Sequence, residues 1–264
     1  MSQEKVLQIT DLSISFTGKV VLDKINLEVY RGQIIGYIGP NGAGKSTTVK
    51  IILGLLDRYR GKVEVFGEDI RNKGNAYKKR IGYVPENGEI YDDLTAFEYI
   101  SFTGQMYGME PEDIKNKLIR LLEKFDMAES LHKRVSTFSK GMKQKLLIIS
   151  SLIHDPDLIF FDEPLSGLDA NSVMIIKEMM TILAAEGKTI FYSSHIMDVV
   201  EKISNRIILL ADGNVVADGT FDQLKEKNKE GTLEQIFNQL TGFDQHEQIA
   251  ADIVAALHGD ESNE

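Results

Sequence analysis

The sequence predicts an α/β fold in three parts: a core of buried strands and helices, an N-terminal antiparallel β-subdomain, and an α-helical subdomain inserted into the core. Three observations carry this. Gly39-Pro40-Asn41-Gly42-Ala43-Gly44-Lys45-Ser46 has the pattern G-x-x-x-x-G-K-[ST] and lies between an apolar run and an unbroken helical stretch. The chain before it alternates apolar and polar positions, as strands with one solvated face do. From about Leu94 the apolar period becomes helical, and strand character returns at Asp157.

In chain order, Leu7, Ile9, Leu12, Ile14 and Phe16 read as one strand. Thr17-Gly18-Lys19 reads as a turn, and Ile25, Leu27 and Val29 as a second, antiparallel strand. Ile34-Ile35-Gly36-Tyr37-Ile38 is a continuous apolar run, the mark of a strand covered on both faces. After the glycine-rich loop, Thr47 to Leu53 runs without a breaker and sets Val49, Ile52 and Leu53 at helical spacing. Val63-Glu64-Val65 and Ile81-Gly82-Tyr83-Val84 are further strands. Thr95 with Glu98 forms a capping box, and Pro111 followed by Glu112 and Asp113 starts another helix. Its stripe of Ile114, Leu118, Leu121, Leu122 and Phe125 reads as core packing. Strands return at Asp157 to Phe161, Thr189 to Tyr192 and Arg206 to Leu210, the last feeding a hairpin at Asp212-Gly213-Asn214. Helical character resumes after Phe221. The chain then trails into Asp260-Glu261-Ser262-Asn263-Glu264, an acidic end expected to be disordered. The expected division is a main domain over residues 1–220, with the helical insertion at about 88–153, and a C-terminal helical extension over 221–264.

At 264 residues, 42% apolar and 27% charged, the chain can bury a sizeable core. A net charge of −10 argues against broad nucleic-acid binding and against unaided attachment to an anionic membrane. The local basic cluster Lys78-Lys79-Arg80 reads as a solvated face. Cysteine is absent, which rules out disulfides and thiolate-bound zinc. Met1 to Lys5 shows no signal-peptide apolar region, and runs such as Leu158 to Phe161 are far short of a membrane span. A soluble, cytoplasmic protein is expected.

A glycine-rich turn between strand and helix aims backbone N–H groups and the positive end of the helix dipole at one point, which suits a polyphosphate. Gly39, Asn41, Gly42, Ala43, Gly44 and Thr47 would surround the phosphates. Lys45 would reach the β- and γ-phosphates, and the Ser46 hydroxyl would ligate Mg2+. Binding of ATP or GTP follows. Asp162-Glu163 closes an apolar strand before Pro164. One carboxylate there can hold Mg2+, directly or through water, while the other orients and deprotonates a water for attack on the γ-phosphate. The metal role falls to Asp162 and the base role to Glu163; a solvated turn is the plainer alternative. Phe138 to Lys145 opens a helix with Ser139 as N-cap and Gly141 leaving the backbone accessible, which alone is an ordinary helix start. His195 follows a strand at the sheet's carboxyl edge, where α/β ligands bind.

The ordered set of phosphate loop, Phe138-Ser139-Lys140-Gly141-Met142, Ile159-Phe160-Phe161-Asp162-Glu163, Ser166-Gly167-Leu168-Asp169 and Ser194-His195 resembles the ATP-binding subunit of ABC transporters over about residues 5–242. The resemblance implies a P-loop NTPase core (RecA-like), ATP as the nucleotide, and Lys45, Glu163 and His195 as catalytic residues. It implies that Phe16 stacks on adenine and that His195 contacts the γ-phosphate and the catalytic carboxylate. Glu86 stands where the family usually has Gln; its added negative charge would either bind the metal or its water or point toward the partner. Phe138 to Met142 matches the signature motif, through which Ser139, Gly141 and Met142 face the nucleotide of a paired subunit. Ser166 to Asp169 matches the loop that communicates between the pair. Lys140 and Met142 replace the usual Gly and Gln, a variation similar to that of bacterial export-type subunits.

A physical argument stands beside the resemblance. Phosphate loop, Mg2+ and one carboxylate leave the far side of the γ-phosphate facing water. A second helix N-terminus, capped by Ser139, could neutralise that side. Hydrolysis would then remove the group bridging two subunits and loosen them.

The expected function is an ATP-hydrolysing motor subunit driving a separate integral-membrane permease, peripheral on the inner face of the membrane. A second ATP-binding subunit, identical or different, would complete it. Ile90, Tyr91, Leu94 and Phe97 either receive a short helix of the permease or seat the insertion on the core. Gly231 to Gly242 resembles the ends of export-type subunits, which favours export over import. The alternative is a soluble ATPase of the same fold that remodels nucleic acid or ribosomes. That class usually has paired nucleotide domains, long coiled-coil insertions or basic extensions, and no nucleic-acid partner is expected here. A P-loop kinase would have no use for Phe138 to Met142.

Overall fold

A computed structural model of the chain describes residues 4–72, 74–229, 231–242 and 246–258. Its strands are β1 (Lys5–Phe16), β2 (Lys19–Tyr30), β3 (Ile34–Ile38), β4 (Arg60–Val65), β5 (Glu68–Asp69), β6 (Ile81–Val84), β7 (Leu158–Asp162), β8 (Thr189–Ser193), β9 (Arg206–Ala211) and β10 (Asn214–Gly219). They sort into an antiparallel sheet of order β2-β1-β4-β5 and a second sheet of order β10-β9-β3-β8-β7-β6. Neighbours in the second sheet run parallel except in the β9–β10 hairpin. The two N-terminal strands pair across the predicted Thr17-Gly18 turn, with Ile9 opposite Leu27 and Phe16 opposite Lys19.

Successive side chains of a strand leave by opposite faces, so an unbroken apolar run feeds two cores at once. Ile35 and Tyr37 of β3, Phe160 of β7, Phe191 of β8 and Leu210 of β9 point to one face. They share a core with the antiparallel sheet and with α1 (Lys45–Ile52). The alternate residues Ile38, Phe161, Tyr192 and Leu209 point to the other face, into a core shared with helical residues between 96 and 240. Each large apolar side chain so buried is worth about 1.5–3 kcal/mol. This double cover fixes the carboxyl edge of the sheet, and with it the positions of Gly39, Asp162 and Ser193.

The helices after β6 are α2 (Ala96–Met106), α3 (Pro111–Lys124) and α4 (Lys140–Leu152). The predicted capping box is present: the Thr95 hydroxyl accepts from the Glu98 N–H, and the Glu98 carboxylate accepts from the Thr95 N–H. On α3, Ile114, Leu118 and Leu122 are buried. Beyond β7 come α5 (Ala170–Ala185), α6 (Met197–Ile203), α7 (Phe221–Asn228), α8 (Leu233–Thr241) and α9 (His246–His258).

One helix face differs from expectation. The residues of α1 that bury fully are Thr48, Ile51 and Ile52, whereas Val49 and Leu53 are half-covered. Helical spacing alone ranks Thr48 as polar, but its hydroxyl is satisfied inside the core. The basic cluster ends a 3-10 helix, Ala76–Arg80, in which Arg80 bonds Asp157 at 2.6 Å and lies over the Phe66 ring. The acidic end, 260–264, lies outside the described residues.

Candidate active site

The loop after β3 is held from beneath. Gly44, the residue preceding α1, has φ 107° and ψ 4°, a conformation that disfavours any side chain. A Cβ there would also meet the Leu22 side chain at 2.4 Å. The Thr48 hydroxyl donates to the Gly44 carbonyl at 3.0 Å and accepts from the Tyr37 hydroxyl at 3.0 Å. Tyr37 is fully buried, and burial pushes its phenol well above the ordinary value. A strand residue and a helix residue thus fix the curvature of the loop.

Around this loop lies a cavity of about 360 Å³. Phe16, Asn41, Gly42, Gly44, Lys45, Ser46 and Thr47 line one part of it, and Glu86, Asp162, Glu163, Ser193, Ser194 and His195 line the rest. Phe16 is 43% exposed, a large ring left accessible at the rim. Gly39 and Ala43, expected among the phosphate contacts, do not line the cavity. Ala43 is buried, and a Cβ on Gly39 would stand 2.2 Å from the Leu210 carbonyl oxygen. Both shape the loop from behind. The Lys45 ammonium donates to the carbonyls of Gly39 and Pro40, at 2.5 and 3.2 Å. Burial lowers its pKa, opposed by the nearby charges of Asp162, Glu163 and Glu86.

Glu163 is fixed by its own backbone and by its neighbours. Its φ of 49° is left-handed, rare for a side-chain-bearing residue. Its N–H donates to the Ser193 carbonyl at 3.1 Å. The carboxylate accepts from the His195 backbone N–H at 2.7 Å and from the Ser194 hydroxyl at 3.3 Å. His195 Nε2 lies 3.7 Å from the same carboxylate. Burial raises the Glu163 pKa, against the opposing pull of His195 and of these bonds. Such a carboxylate can take a proton from a water more readily than a fully solvated one. Asp162, one residue earlier, accepts a short bond from the Ser193 hydroxyl.

The donor set for a metal is all oxygen: the Ser46 hydroxyl, Asp162 and Glu86 line the same cavity. That chemistry suits Mg2+. Among the described residues no group of three or more His, Cys, Asp or Glu is placed to hold a metal. A cation here would draw much of its shell from phosphate oxygens and water.

Ser139, Gly141 and Met142 do not line this cavity. Ser139 caps α4, its hydroxyl accepting from the Met142 N–H at 3.2 Å. The Met142 side chain packs on the helical core. A Cβ on Gly141 would stand 2.8 Å from the Gly167 carbonyl oxygen, so within this chain the glycine lets two segments approach. The buried Gln144 amide adds a bond to the Pro164 carbonyl at 3.1 Å. Sequence reasoning gave no role to Tyr37, Thr48, Gln144 or Ser193, and named Ser194 only beside His195. Only the hydroxyl pair after an apolar strand signalled itself. Of the expected docking residues, Ile90, Tyr91 and Leu94 line a pocket with Asp92, Asp93 and Phe102, while Ile90 and Phe97 pack on the helical core.

A phosphate loop opening a helix, with a carboxylate pair and a histidine at the carboxyl edge of a mainly parallel sheet, defines a P-loop ATPase. A family model described as "ABC transporter" matches residues 22–166. The ABC transporter ATP-binding protein NatA of Bacillus subtilis is 37% identical over 238 residues, covering 88% of this chain and 96% of that protein. The Nod factor export ATP-binding protein I of Bradyrhizobium diazoefficiens is 32% identical, covering 90% of this chain and 80% of that protein. A solved structure titled "Structure of ATP binding subunit of ABC transporter" superposes with a TM-score of 0.83 at 33% identity, covering 89% of this chain and 99% of that one. The chain belongs to the ABC transporter family, as an ATP-binding subunit and an ATPase.

Proposed function

We propose that the chain is the motor subunit of an export transporter, hydrolysing ATP in a site completed by a second ATP-binding subunit and driving a separate membrane permease. One observation carries this reading. Lys45, Ser46, Asp162, Glu163 and His195 share a cavity from which Ser139 and Gly141, at the start of α4, are absent. Those residues are then free to serve the nucleotide of a paired subunit. Phe16 stacks on adenine, and Asn41, Gly42, Gly44 and Thr47 give the loop its contacts with the phosphates. Lys45 moves from the Gly39 and Pro40 carbonyls to the β- and γ-phosphates. Glu163 accepts a proton from the attacking water, and His195 orients it. Ser46, Asp162 and Glu86 would hold Mg2+, and when bound the ion would supply charge neutralisation at the phosphates. Loss of the γ-phosphate then releases the pair.

Residues 1–220 are the ATPase body, carrying the helical insertion at about 88–153, and 221–264 are a C-terminal extension, with helices at Phe221–Asn228, Leu233–Thr241 and His246–His258. Among the described residues no helix is long and apolar enough to cross a membrane, so transport through this chain needs another one. Ile90, Tyr91, Leu94 and Phe102, with Asp92 and Asp93 beside them, offer that permease a pocket of about 490 Å³. The location that follows is cytoplasmic, on the inner face of the membrane. Export is favoured by the resemblance of Gly231 to Gly242 to export-type ends and by the name of the Nod factor relative. Affinity purification of the tagged chain from detergent-solubilised membranes tests the reading. Recovery of a stoichiometric multispanning protein is expected. Recovery of none would overturn it.

A further inference from the structure

We infer that α9 is a docking helix for a basic, amphipathic protein segment, such as a cytoplasmic segment of the permease. Two independent observations lead there. The first is a stripe: Ile249, Ile253 and Leu257 recur at every fourth residue with Val254 beside them. All four are left to solvent, at 44%, 56%, 79% and 51% exposure respectively. A helix with that pattern normally buries it against a partner. The second is charge. Residues 230–264 hold eight Asp and Glu and no Lys or Arg, so eight of the ten net negative charges of the chain lie in this segment.

Charge chooses among the occupants. A second copy of this segment would bring its eight carboxylates against eight more, and the segment has no Lys or Arg. An anionic lipid surface repels the same helix, and helices that lie on membranes carry Lys and Arg on their polar face. Nucleic acid is excluded on the same ground. A helix with an apolar face flanked by Lys or Arg satisfies both the stripe and the charge. Cytoplasmic loops of membrane proteins are enriched in those residues, so the permease can supply one. That assignment of the source rests on the transporter reading above; the chemistry of the helix face does not.

The test uses the full chain, wild type and the double variant Ile253→Asp/Leu257→Asp, with two synthetic helical peptides as probes. One peptide is built of Leu and Lys, and the other has Glu in place of every Lys. Fluorescence anisotropy should show saturable binding of the Lys peptide, weakened about tenfold or more by the double variant and by raising salt from about 50 to about 500 mM. ATPase activity of the variant should equal that of wild type, which also shows that it folds. Equal binding by both chains, or by both peptides, would overturn the inference. So would self-association in sedimentation, or adsorption to anionic vesicles, that the double variant abolishes. Co-purification from membranes separates the two readings. A permease recovered equally with wild type and variant sinks the role of α9 and leaves the motor reading standing. Lys-peptide binding with no permease recovered does the reverse.

Discussion

The support beneath the phosphate loop makes a prediction whose sign follows from hydrogen-bond bookkeeping. Tyr37→Phe removes the phenol that donates to Thr48 at 3.0 Å. Thr48 keeps its own donation to the Gly44 carbonyl, so no buried donor is orphaned and only one bond is lost. The cost should be about 0.5–1.5 kcal/mol. Thr48→Val keeps shape and helix but removes both bonds, and it strands the Tyr37 hydroxyl in a fully buried position. An orphaned buried donor costs about 1–3 kcal/mol in addition to the lost bond. The Gly44 carbonyl still accepts from the Thr48 backbone N–H at 2.9 Å, which caps the loss. The double variant strands nothing, so it should cost less than the sum of the singles by about 1 kcal/mol. Urea unfolding at fixed protein concentration reads all four corners of the cycle, and nucleotide affinity should weaken in the same order. Thr48→Val milder than Tyr37→Phe would refute the reasoning. So would additivity within about 0.3–0.5 kcal/mol.

Two further outcomes concern the reaction. The burial-raised carboxyl of Glu163 must be ionised to act as a base. The hydrolysis rate, followed by phosphate release, should therefore fall on acidification with a midpoint above the ordinary 4.5, and a midpoint at or below it would count against Glu163. The linkage sign is opposite for folding: the folded state holds this proton more tightly, so stability is lost as pH rises through the raised pKa. Ser139→Arg should abolish hydrolysis while nucleotide affinity of the isolated subunit, measured by fluorescence titration, stays within about twofold. Retained turnover in that variant would show that α4 plays no part in the site.

Most of the architecture was legible because two periods separate cleanly in this chain. Alternation along Leu7 to Phe16 and continuous apolarity along Ile34 to Ile38 carry different burial, one face against two. The capping box at Thr95 and Glu98 is a local arrangement, complete within four residues, and it appeared as written. The site was legible where its chemistry is local too: the loop, the Asp162-Glu163 pair and His195 converge on one cavity. What sequence could not show depends on distant partners. Thr48 looks like a surface polar residue until Tyr37 arrives beside it from the neighbouring strand. That Gly39 must be glycine shows only when the Leu210 carbonyl is seen behind it. Within the chain, the need for glycine at 141 comes from the Gly167 carbonyl, which stands where a side chain would begin. The tie between Gln144 and Pro164 spans elements whose proximity no periodicity encodes.

The central claim is that binding here means closure of two subunits on shared nucleotide. Glu163→Gln keeps the size and most hydrogen bonds of the side chain while removing the base. It should slow hydrolysis by about 10²–10⁴-fold. Sedimentation of that variant at saturating ATP and Mg2+ measures the claim directly. A species of twice the mass of the 29.6 kDa chain, absent with ADP, is the predicted result. A fully ATP-loaded monomer, or turnover near that of the wild type, would contradict it.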